Sequence, residues 1–248
     1  MSNPLIMKLE YGARLTDEDR AVLQHLTHKT RRVARHADIS PEGERPENVH
    51  LVMEGFACRY KILAGGRRQI MAFMVPGDFC DLHVAILGEM DHSIGTSWGC
   101  TIVDIPRSAI EDLTAYHPRI TRALWWATLV DEGTLRAWLV NMGQREADQQ
   151  MAHLICELFV RLRVVGHVSD NSFEFPITQG DLADTLGITS VHVNRVLQDL
   201  RSQGLVEWRS KRLRIPDVEQ LMAFAEFDPN YLHLNRRDDA ERPVPGTL

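Results

Sequence analysis

A segment near the C-terminus, residues 178–208, constrains the fold most strongly because it carries the spacing of a helix-turn-helix. Apolar residues recur there at helical intervals, and Gly187 interrupts them. Ala183 lies four positions before this glycine, and Val193 lies six positions after it. Two helices that cross closely need a small residue at the crossing, a glycine at the turn and a β-branched residue to anchor the second helix. The spacing therefore predicts a helix-turn-helix that begins with a capping box at Thr178.

The second helix of this motif presents a polar face to solvent if Val193 faces the core. Such a face enters the major groove of DNA in proteins that read sequence. Arg195 can donate two hydrogen bonds to guanine, Asn194 can pair with adenine, and Val191 can contact a thymine methyl group. An ordinary helical hairpin with a solvated face is the alternative. The residues predicted to read bases are Ser190, Val191, Asn194, Arg195 and Gln198.

Two short strand-like runs joined by a charged turn follow at residues 204–217 and predict a wing. Between Arg195 and Ile215 there are six basic and two acidic residues, so this region is positive although the whole chain has a formal net charge of −6. Basic side chains contact phosphates, which positions a protein on DNA without reading sequence. His192 either joins these contacts or covers the flank of its helix. The predicted phosphate contacts are Thr178, Gln179, His192, Arg209, Lys211 and Arg212.

The segment from about residue 31 to residue 108 has a different amino-acid composition. Short runs rich in Val, Ile, Phe and Tyr are separated there by glycines and prolines. Such runs are typical of a barrel or jelly-roll of antiparallel strands. Gly65 and Gly66 lie between two of the runs and predict a hairpin turn. The first 30 residues are predicted to be helical, with Thr16 as a helix cap.

A long helix is predicted next, because residues 121–142 carry apolar side chains on more than one face. A helix that is apolar on two sides must bury both, and we expect one side to pack on the barrel and the other on a partner chain. Gly143 is predicted to break this helix, and Gly166 to end the amphipathic helix that follows. The predicted dimer seam consists of Leu124, Leu135, Trp138 and Met142.

Together these elements predict an α+β protein with an N-terminal antiparallel β-roll or jelly-roll, a long dimerisation helix and a C-terminal winged helix-turn-helix. The polar, proline-containing C-terminus predicts a loosely held tail. The predicted boundaries are 1–108 for the β-roll with its N-terminal helix, 109–143 for the dimerisation helix, 144–228 for the DNA-binding domain and 229–248 for the tail.

Over nearly its whole length the chain resembles the Crp–Fnr family of bacterial transcription regulators. The hairpin "GFACRYKILAGGRRQIMAFMVPGDFCDL" is similar to the β-roll signature of that family, and "AHLICELFVRLRVVG" with the winged helix-turn-helix is similar to its DNA-binding domain. The resemblance implies a homodimer that binds palindromic sites in double-stranded DNA near promoters and contacts RNA polymerase. Arg195 matches the base-reading arginine of the family, whereas many members have a glutamate at the position of Val191.

Two ligand signatures of the family are missing from this sequence. Members that bind cyclic AMP carry Gly-Glu-Leu followed further on by an arginine and a small hydroxyl residue, but the matching segments here are Asp81-Leu82-His83 and His92-Ser93. A carboxylate near the phosphate position disfavours an anion there. Members that hold an iron–sulfur cluster use closely spaced N-terminal cysteines, and no cysteine precedes Cys58. We therefore expect no cofactor and no binding of cyclic AMP.

The β-roll is nevertheless the expected place for an unidentified small-molecule effector. The residues predicted to contact it are Phe73, Asp81, His83, His92, Ser93 and Trp126. The rival hypothesis is a cupin-like metal-binding protein or enzyme with an accessory helical domain. Its candidate metal ligands are Asp81, His83, Glu89 and His92. Because there is no His-x-His pair and no catalytic motif, we expect no metal and no enzymatic activity.

Composition limits the remaining possibilities. No apolar run reaches the roughly 20 residues that a membrane helix needs, and the N-terminus lacks the charged and apolar regions of a secretory signal. We therefore expect a cytoplasmic protein with no membrane partner. The cysteines are far apart and are predicted to be reduced, either as buried apolar groups or as a thiol sensor. They are Cys58, Cys80, Cys100 and Cys156.

Overall fold

The computed structural model describes residues 3–234. The N-terminal elements are α1 (Pro4–Leu9), α2 (Asp17–Leu26), β1 (Thr30–Val33), β2 (Ala37–Ser40), β3 (Asn48–Gly55), β4 (Ala57–Ile62), β5 (Arg68–Met74), α3 (Val84–Leu87), β6 (Ser93–Thr96) and β7 (Cys100–Pro106). The following elements are α4 (Arg107–Tyr116), α5 (Pro118–Gln144), α6 (Ala147–Val164), β8 (Ser172–Glu174), α7 (Gln179–Leu186), α8 (Ser190–Ser202), β9 (Glu207–Arg209), β10 (Arg212–Arg214), α9 (Val218–Phe224) and a 3-10 helix (Pro229–Leu232).

Two antiparallel sheets form the N-terminal β-roll. One sheet has the strand order β1-β7-β3, and the other has the order β2-β6-β4-β5. Val52 of the first sheet and Met74 and Ile94 of the second are buried in one apolar cluster. The strand-like runs of the sequence thus bury part of their side chains between two sheets, as a sandwich requires. The predicted mixed fold, with an antiparallel sheet domain followed by a long helix and a helix-turn-helix, is confirmed.

The predicted hairpin turn joins β4 to β5. Tyr60 and Ile70 lie opposite each other in this antiparallel pair. Gly66 has a φ of +78°, a left-handed conformation that favours glycine because it has no Cβ. Its amide donates a hydrogen bond of 2.8 Å to the carbonyl oxygen of Leu63, which closes the turn.

Helix α5 is longer than the sequence predicts, because Gly143 does not break it. The helix runs to Gln144, and Arg145 then adopts an extended conformation with ψ near 150°. A helical glycine costs only about 1 kcal/mol relative to alanine, which a packed helix of this length tolerates. Helix α6 ends as predicted, because Gly166 has a φ of +76° and allows a Schellman-type turn. No helix among residues 3–234 is long and apolar enough to cross a membrane.

The two apolar faces of α5 differ from the predicted dimer seam. Leu124 and Trp138 are only 3% and 7% exposed because they pack inside their own chain. Leu124 joins the cluster that includes α1 and β3, and the indole Nε1 of Trp138 donates a 2.9 Å hydrogen bond to Glu157. Their assignment to the seam was therefore wrong, whereas Leu135 and Met142 face solvent. The exposed apolar side chains of α5 are Trp125, Leu129, Leu135, Leu139, Val140 and Met142.

A buried cluster of charges joins the β-roll to α6. Asp78, in the loop after β5, accepts hydrogen bonds of 2.5 Å from both Lys8 and Arg161. Arg161 also pairs with Glu157 at 2.8 Å and donates to the carbonyl oxygen of Phe73 at 2.9 Å. Burial alone would raise the pKa of Asp78, but the two cations outweigh it and lower the pKa to about 2. The carboxylate is therefore charged at neutral pH and needs its cationic partners.

Residues 229–234 are packed against this cluster, so the predicted loose tail is wrong for them. The Tyr231 hydroxyl donates a 3.0 Å hydrogen bond to Glu157, and Leu232 is buried. The 3-10 helix approaches α5 closely at Gly133, where a Cβ would lie 3.1 Å from the carbonyl oxygen of Tyr231. The remainder of the predicted tail, 235–248, lies outside the described residues.

The buried His153 of α6 provides a test of this packing. Its ring centroid lies 5.0 Å from that of Phe227 and 6.1 Å from that of Tyr231, and burial lowers its pKa from 6.5 to about 4. Below pH 6.5 the unfolded chain binds a proton here that the folded chain does not. The free energy of unfolding should therefore fall by up to about 1.4 kcal/mol per pH unit until the pH reaches about 4, with no contribution from this residue above pH 6.5.

We expect His153→Leu to remove this part of the pH dependence, because leucine does not titrate. Urea unfolding of both proteins, measured between about pH 7 and about pH 4, checks the prediction. The comparison concerns the slope of stability against pH and not its absolute value. Parallel curves for the two proteins would contradict the burial of a neutral imidazole.

Candidate DNA-binding surface and β-roll interior

Helices α7 and α8 form the helix-turn-helix that the sequence predicts. The Thr178 side chain accepts a hydrogen bond from the Asp181 amide, and the Asp181 carboxylate accepts one from the Thr178 amide, which completes the capping box. Gly187 ends α7 in the left-handed conformation, with a φ of 68°. Thr189 then caps α8 by accepting a 3.2 Å hydrogen bond from the amide of His192.

Helix α8 buries one side and exposes the other. Its buried residues are Val193, Val196, Leu197 and Leu200. All five residues predicted to read bases are exposed, and Val191 is 82% exposed. They share one face because they lie at helical intervals opposite the buried side. We call this face, made of Ser190, Val191, Asn194, Arg195 and Gln198, the α8 strip.

The predicted wing is the hairpin of β9 and β10, which pairs with β8 in a sheet of order β8-β10-β9. Ser210 and Lys211 form its turn with φ values of 47° and 73°. Arg209 is exposed beside the turn. Arg212 donates a 2.9 Å hydrogen bond to the Ser172 hydroxyl. The wing thus presents several cations on one hairpin, where phosphate contacts are expected.

The other predicted phosphate contacts differ in their availability. Gln179 is exposed at the start of α7, and His192 is half-buried on the flank of α8. The Thr178 hydroxyl also donates a 2.7 Å hydrogen bond to Asp181, so the capping box already uses it. Lys211 places its ammonium group 3.9 Å from the centre of the Trp98 ring, which is a cation–π distance.

The helix-turn-helix docks on the β-roll of the same chain through α7. Arg68 of β5 donates hydrogen bonds of 2.6 Å to Asp181 and 2.7 Å to Asp184. Ser97 donates a further 2.7 Å bond to Asp181. Burial alone would raise the pKa of Asp181, but hydrogen bonds from Thr178, Ser97 and Arg68 outweigh it and lower the pKa. The capping carboxylate of α7 is thus also the anchor of the domain contact.

Reasoning from the sequence missed Arg68, Ser97 and Trp98. Arg68 lies 113 positions before Asp181, and Ser97 lies 84 positions before it. Neither sits in a pattern that indicates a partner so far along the chain. Only the fold brings them together, so no local signal was available.

The residues predicted to contact an effector do not converge on one pocket. Asp81 is buried, and its carboxylate accepts hydrogen bonds of 2.6 Å from both the amide and the ring of His50. Ser93 accepts a 3.0 Å hydrogen bond from a backbone amide of a neighbouring loop. His83 and His92 lie together, with ring centroids 5.3 Å apart. The predicted pocket is therefore divided into separate environments.

Phe73 and Trp126 lie farther off, beside the long helices. The Phe73 ring packs on Trp138 with centroids 6.3 Å apart, and Trp126 covers Gly12, where a Cβ would come within 2.8 Å of the indole. A cavity of about 30 Å³ next to Trp126 is partly lined by Asp78 and Arg161. That volume suits a single water molecule.

The cysteines do not have the environment of reactive thiols. All four are unpaired and buried. Burial raises the pKa of Cys58 and Cys156 to about 12 and that of Cys100 to about 11. A protonated, buried thiol is a poor nucleophile. The geometry therefore favours the simpler hypothesis, in which these residues fill the core.

Two family models match the chain. A Crp-like helix-turn-helix domain matches residues 149–224, and a cyclic nucleotide-binding domain matches residues 30–117. Together they match about two thirds of the chain, in the order β-roll and then helix-turn-helix.

Two similar proteins have regulatory names. The nitrogen fixation regulation protein FixK of Bradyrhizobium diazoefficiens is 27% identical over 190 residues, which are 76% of this chain and 79% of that one. The transcriptional activator protein FnrL of Cereibacter sphaeroides is 24% identical over 192 residues, 75% of this chain and 76% of that one. Both names are those of regulatory proteins, and the second is that of a transcriptional activator.

A solved structure has the same fold. FixK2 from Bradyrhizobium japonicum superposes with a TM-score of 0.71 at 24% identity and covers 79% of this chain and 96% of that one. The order of the matched domains, the regulatory relatives and the shared fold agree with one another. The chain therefore belongs to the Crp–Fnr family of transcription regulators and carries the DNA-binding helix-turn-helix of that family.

Proposed function

We propose that the protein is a cytoplasmic, homodimeric transcription regulator that binds palindromic promoter sites and contacts RNA polymerase. The α8 strip is its base-reading surface, and the β-roll responds to an effector other than cyclic AMP. The observation that carries this proposal is the exposure of the whole α8 strip on a helix whose opposite side is fully packed. A rigid helix with a free polar face fits the major groove.

The chemistry of the α8 strip supports base recognition. The guanidinium of Arg195 can bond O6 and N7 of guanine, and the amide of Asn194 can bond N6 and N7 of adenine. The guanidinium of Arg195 forms no ion pair with another residue of the range 3–234, and both side chains are exposed. Gln179 at the start of α7 and the wing residues Arg209 and Lys211 are exposed and are the proposed phosphate contacts.

The exposed apolar face of α5 supports a dimer. Trp125 and Leu139 are 72% and 76% exposed, and they lie two heptads apart with Glu132 midway between them. Side chains repeated every seven residues are typical of a coiled-coil seam, and large exposed apolar side chains in one stripe favour association. The revised seam, which replaces Leu124 and Trp138, consists of Trp125, Leu129, Leu135, Leu139 and Met142.

The first test concerns base reading. We expect Arg195→Ala to cost about 1–3 kcal/mol in binding to the preferred site and to relax the preference at one base pair in each half-site. Selection of bound sequences from a random DNA pool, followed by affinity measurements on the selected site, checks this. Arg209→Ala is the matched control because it removes the same charge from the exposed wing. It should weaken all sequences alike and lower the salt slope by about one.

The opposite pattern would refute the assignment of the α8 strip. If the Arg195 variant kept the wild-type sequence preference, this arginine would not read a base. If the Arg209 variant lost sequence preference instead, the wing would be the reading element.

The second test concerns the dimer. We expect the double variant Leu129→Glu, Leu139→Glu to be monomeric, because four carboxylates would face one another in an apolar seam. Tight DNA binding should be lost with the dimer, since two recognition helices engage half-sites about one helical turn apart. Sedimentation velocity and DNA titration measure both effects. Ile86→Glu is the control, because Ile86 is an apolar side chain that is 86% exposed on α3 of the β-roll and away from α5 in the sequence. If the double variant sediments as the control does, the seam lies elsewhere.

The third test concerns cyclic AMP. We expect millimolar cyclic AMP to change neither the melting temperature nor the DNA affinity, whereas a ligand at a hundredfold excess over its Kd would stabilise the fold by about 2.7 kcal/mol. Asp81 is buried against His50, and Arg59 is occupied by two carbonyl oxygens and by Asp131, so neither ribose nor phosphate finds a partner. A thermal shift that Ser93→Ala abolishes would show that the nucleotide binds.

A further inference from the structure

His83, Asp91 and His92 come together where α3 begins and where the following loop enters β6. One nitrogen or oxygen atom from each side chain lies within 4.8 Å of the others. The Nδ1 of His92 lies 2.5 Å from the Asp91 carboxylate, and the Nε2 of His83 lies 4.0 Å from the same oxygen. Two imidazoles and a carboxylate are thus gathered on one loop of the β-roll.

The two imidazoles leave nitrogen atoms without partners. The Nε2 atoms of His83 and His92 are both buried, and neither has a hydrogen-bond partner in the described range 3–234. A buried polar atom without a partner costs roughly 1–3 kcal/mol. Two such atoms on neighbouring rings indicate that a group absent from the chain itself satisfies them.

The hydrogen bond to Asp91 decides what kind of group this is. A carboxylate only accepts hydrogen bonds, so the Nδ1 of His92 carries the proton and its Nε2 presents a lone pair. This pairing of a carboxylate with one ring nitrogen is how proteins orient a histidine whose other nitrogen binds a metal. The Asp91 carboxylate lies on the opposite side of the ring from Nε2, and its side chain is 81% exposed, so its role is to orient His92 and not to bind the ion itself.

We propose that His83 and His92 bind a divalent transition-metal ion of the zinc type through their Nε2 atoms, with Asp91 as the residue that orients the His92 ring. Imidazole nitrogen lies about 2.0–2.1 Å from such an ion, which places tetrahedral ligands about 3.3 Å apart. Two protein ligands leave the remaining positions to water on the exposed side of the loop.

Other acidic residues of this region are engaged elsewhere. Glu89 pairs with Arg45 at 2.9 Å, and Asp81 pairs with His50. The sequence grouped Asp81 and Glu89 with the two histidines, omitted Asp91 and favoured no metal. The fold of the loop brings the two histidines together, although they do not form a His-x-His pair in the sequence.

An ion at this position would connect the N-cap of α3 to the residue that precedes β6. Helix α3 follows directly on the segment whose carbonyl groups, those of Phe79 and Cys80, accept hydrogen bonds from Arg59. Arg59 in turn pairs with Asp131 of α5. The site therefore holds a loop whose preceding segment is joined to the long helix through Arg59.

The test uses the untagged full chain after removal of metal with a chelator. Calorimetric titration with Zn²⁺ should give one ion per chain, and Co²⁺ should give a visible absorption band. We expect His83→Gln, His92→Gln and Asp91→Asn each to weaken Zn²⁺ binding at least tenfold. Asp91→Asn alters an exposed side chain, so it tests the site even if a histidine variant fails to fold.

The matched control is the double variant His25→Gln, His28→Gln. These rings are stacked with centroids 5.1 Å apart, close to the spacing of His83 and His92, but no carboxylate joins them. The control should bind Zn²⁺ as the wild type does. Absence of a saturable site, unchanged affinity in the Asp91 variant, or loss of binding in the control would each overturn the proposal. The readout is metal binding alone, so any of these results leaves the DNA-binding proposal standing.

Discussion

The buried ion pair between Asp78 and Arg161 is the interaction on which the arrangement of the two halves depends. Asp78 belongs to the β-roll, and Arg161 belongs to the first helix after the long helix α5. Lys8 and Glu157 complete the cluster from α1 and α6. Removing one partner from a buried pair costs about 3–5 kcal/mol, because the remaining charge is left without compensation. The β-roll and α6 therefore cannot separate without leaving these charges exposed or without partners.

Helix α5 is held by the same kind of contact on several sides. Arg59 of β4 pairs with Asp131, and the indole of Trp138 shares the Glu157 carboxylate with Tyr231. One side of α5 is thus fully used within its own chain. The other side exposes large apolar side chains around the Glu132–Arg136 ion pair, and no element of the described chain covers it. In the proposed dimer, a second copy of the chain would bury these apolar side chains.

Local signals in the sequence located most elements correctly. Gly66, Gly166 and Gly187 all adopt the positive φ that their turns require, and the capping box at Thr178 begins α7. These features could be predicted because their physical cause lies within a few residues. The α8 strip could be found for the same reason, since one buried valine fixes the direction of its neighbours.

The predictions failed where one sequence pattern is compatible with two different structures. Both faces of α5 are apolar, so periodicity alone cannot tell which face meets the β-roll, and Leu124 and Trp138 were placed on the wrong one. Glycine often marks the end of a helix, but Gly143 lies inside a helix whose packing outweighs the low helix propensity of glycine. The partners of Asp81 and Asp181 lie 31 and 113 positions away, beyond the reach of any local rule.

Charge pairs rather than apolar contacts fix the orientation of the recognition helix. Apolar burial is non-directional and would allow α7 to slide on the β-roll. The guanidinium of Arg68, bonded to both Asp181 and Asp184, has a fixed geometry and resists such movement. Since Asp181 also caps α7, and α7 crosses α8, the position of β5 is transmitted to the α8 strip through rigid elements. In the proposed dimer, two such strips can match two half-sites only if each is held firmly relative to α5. The pairs Arg68–Asp181 and Arg59–Asp131 join α7 and α5 to the same sheet.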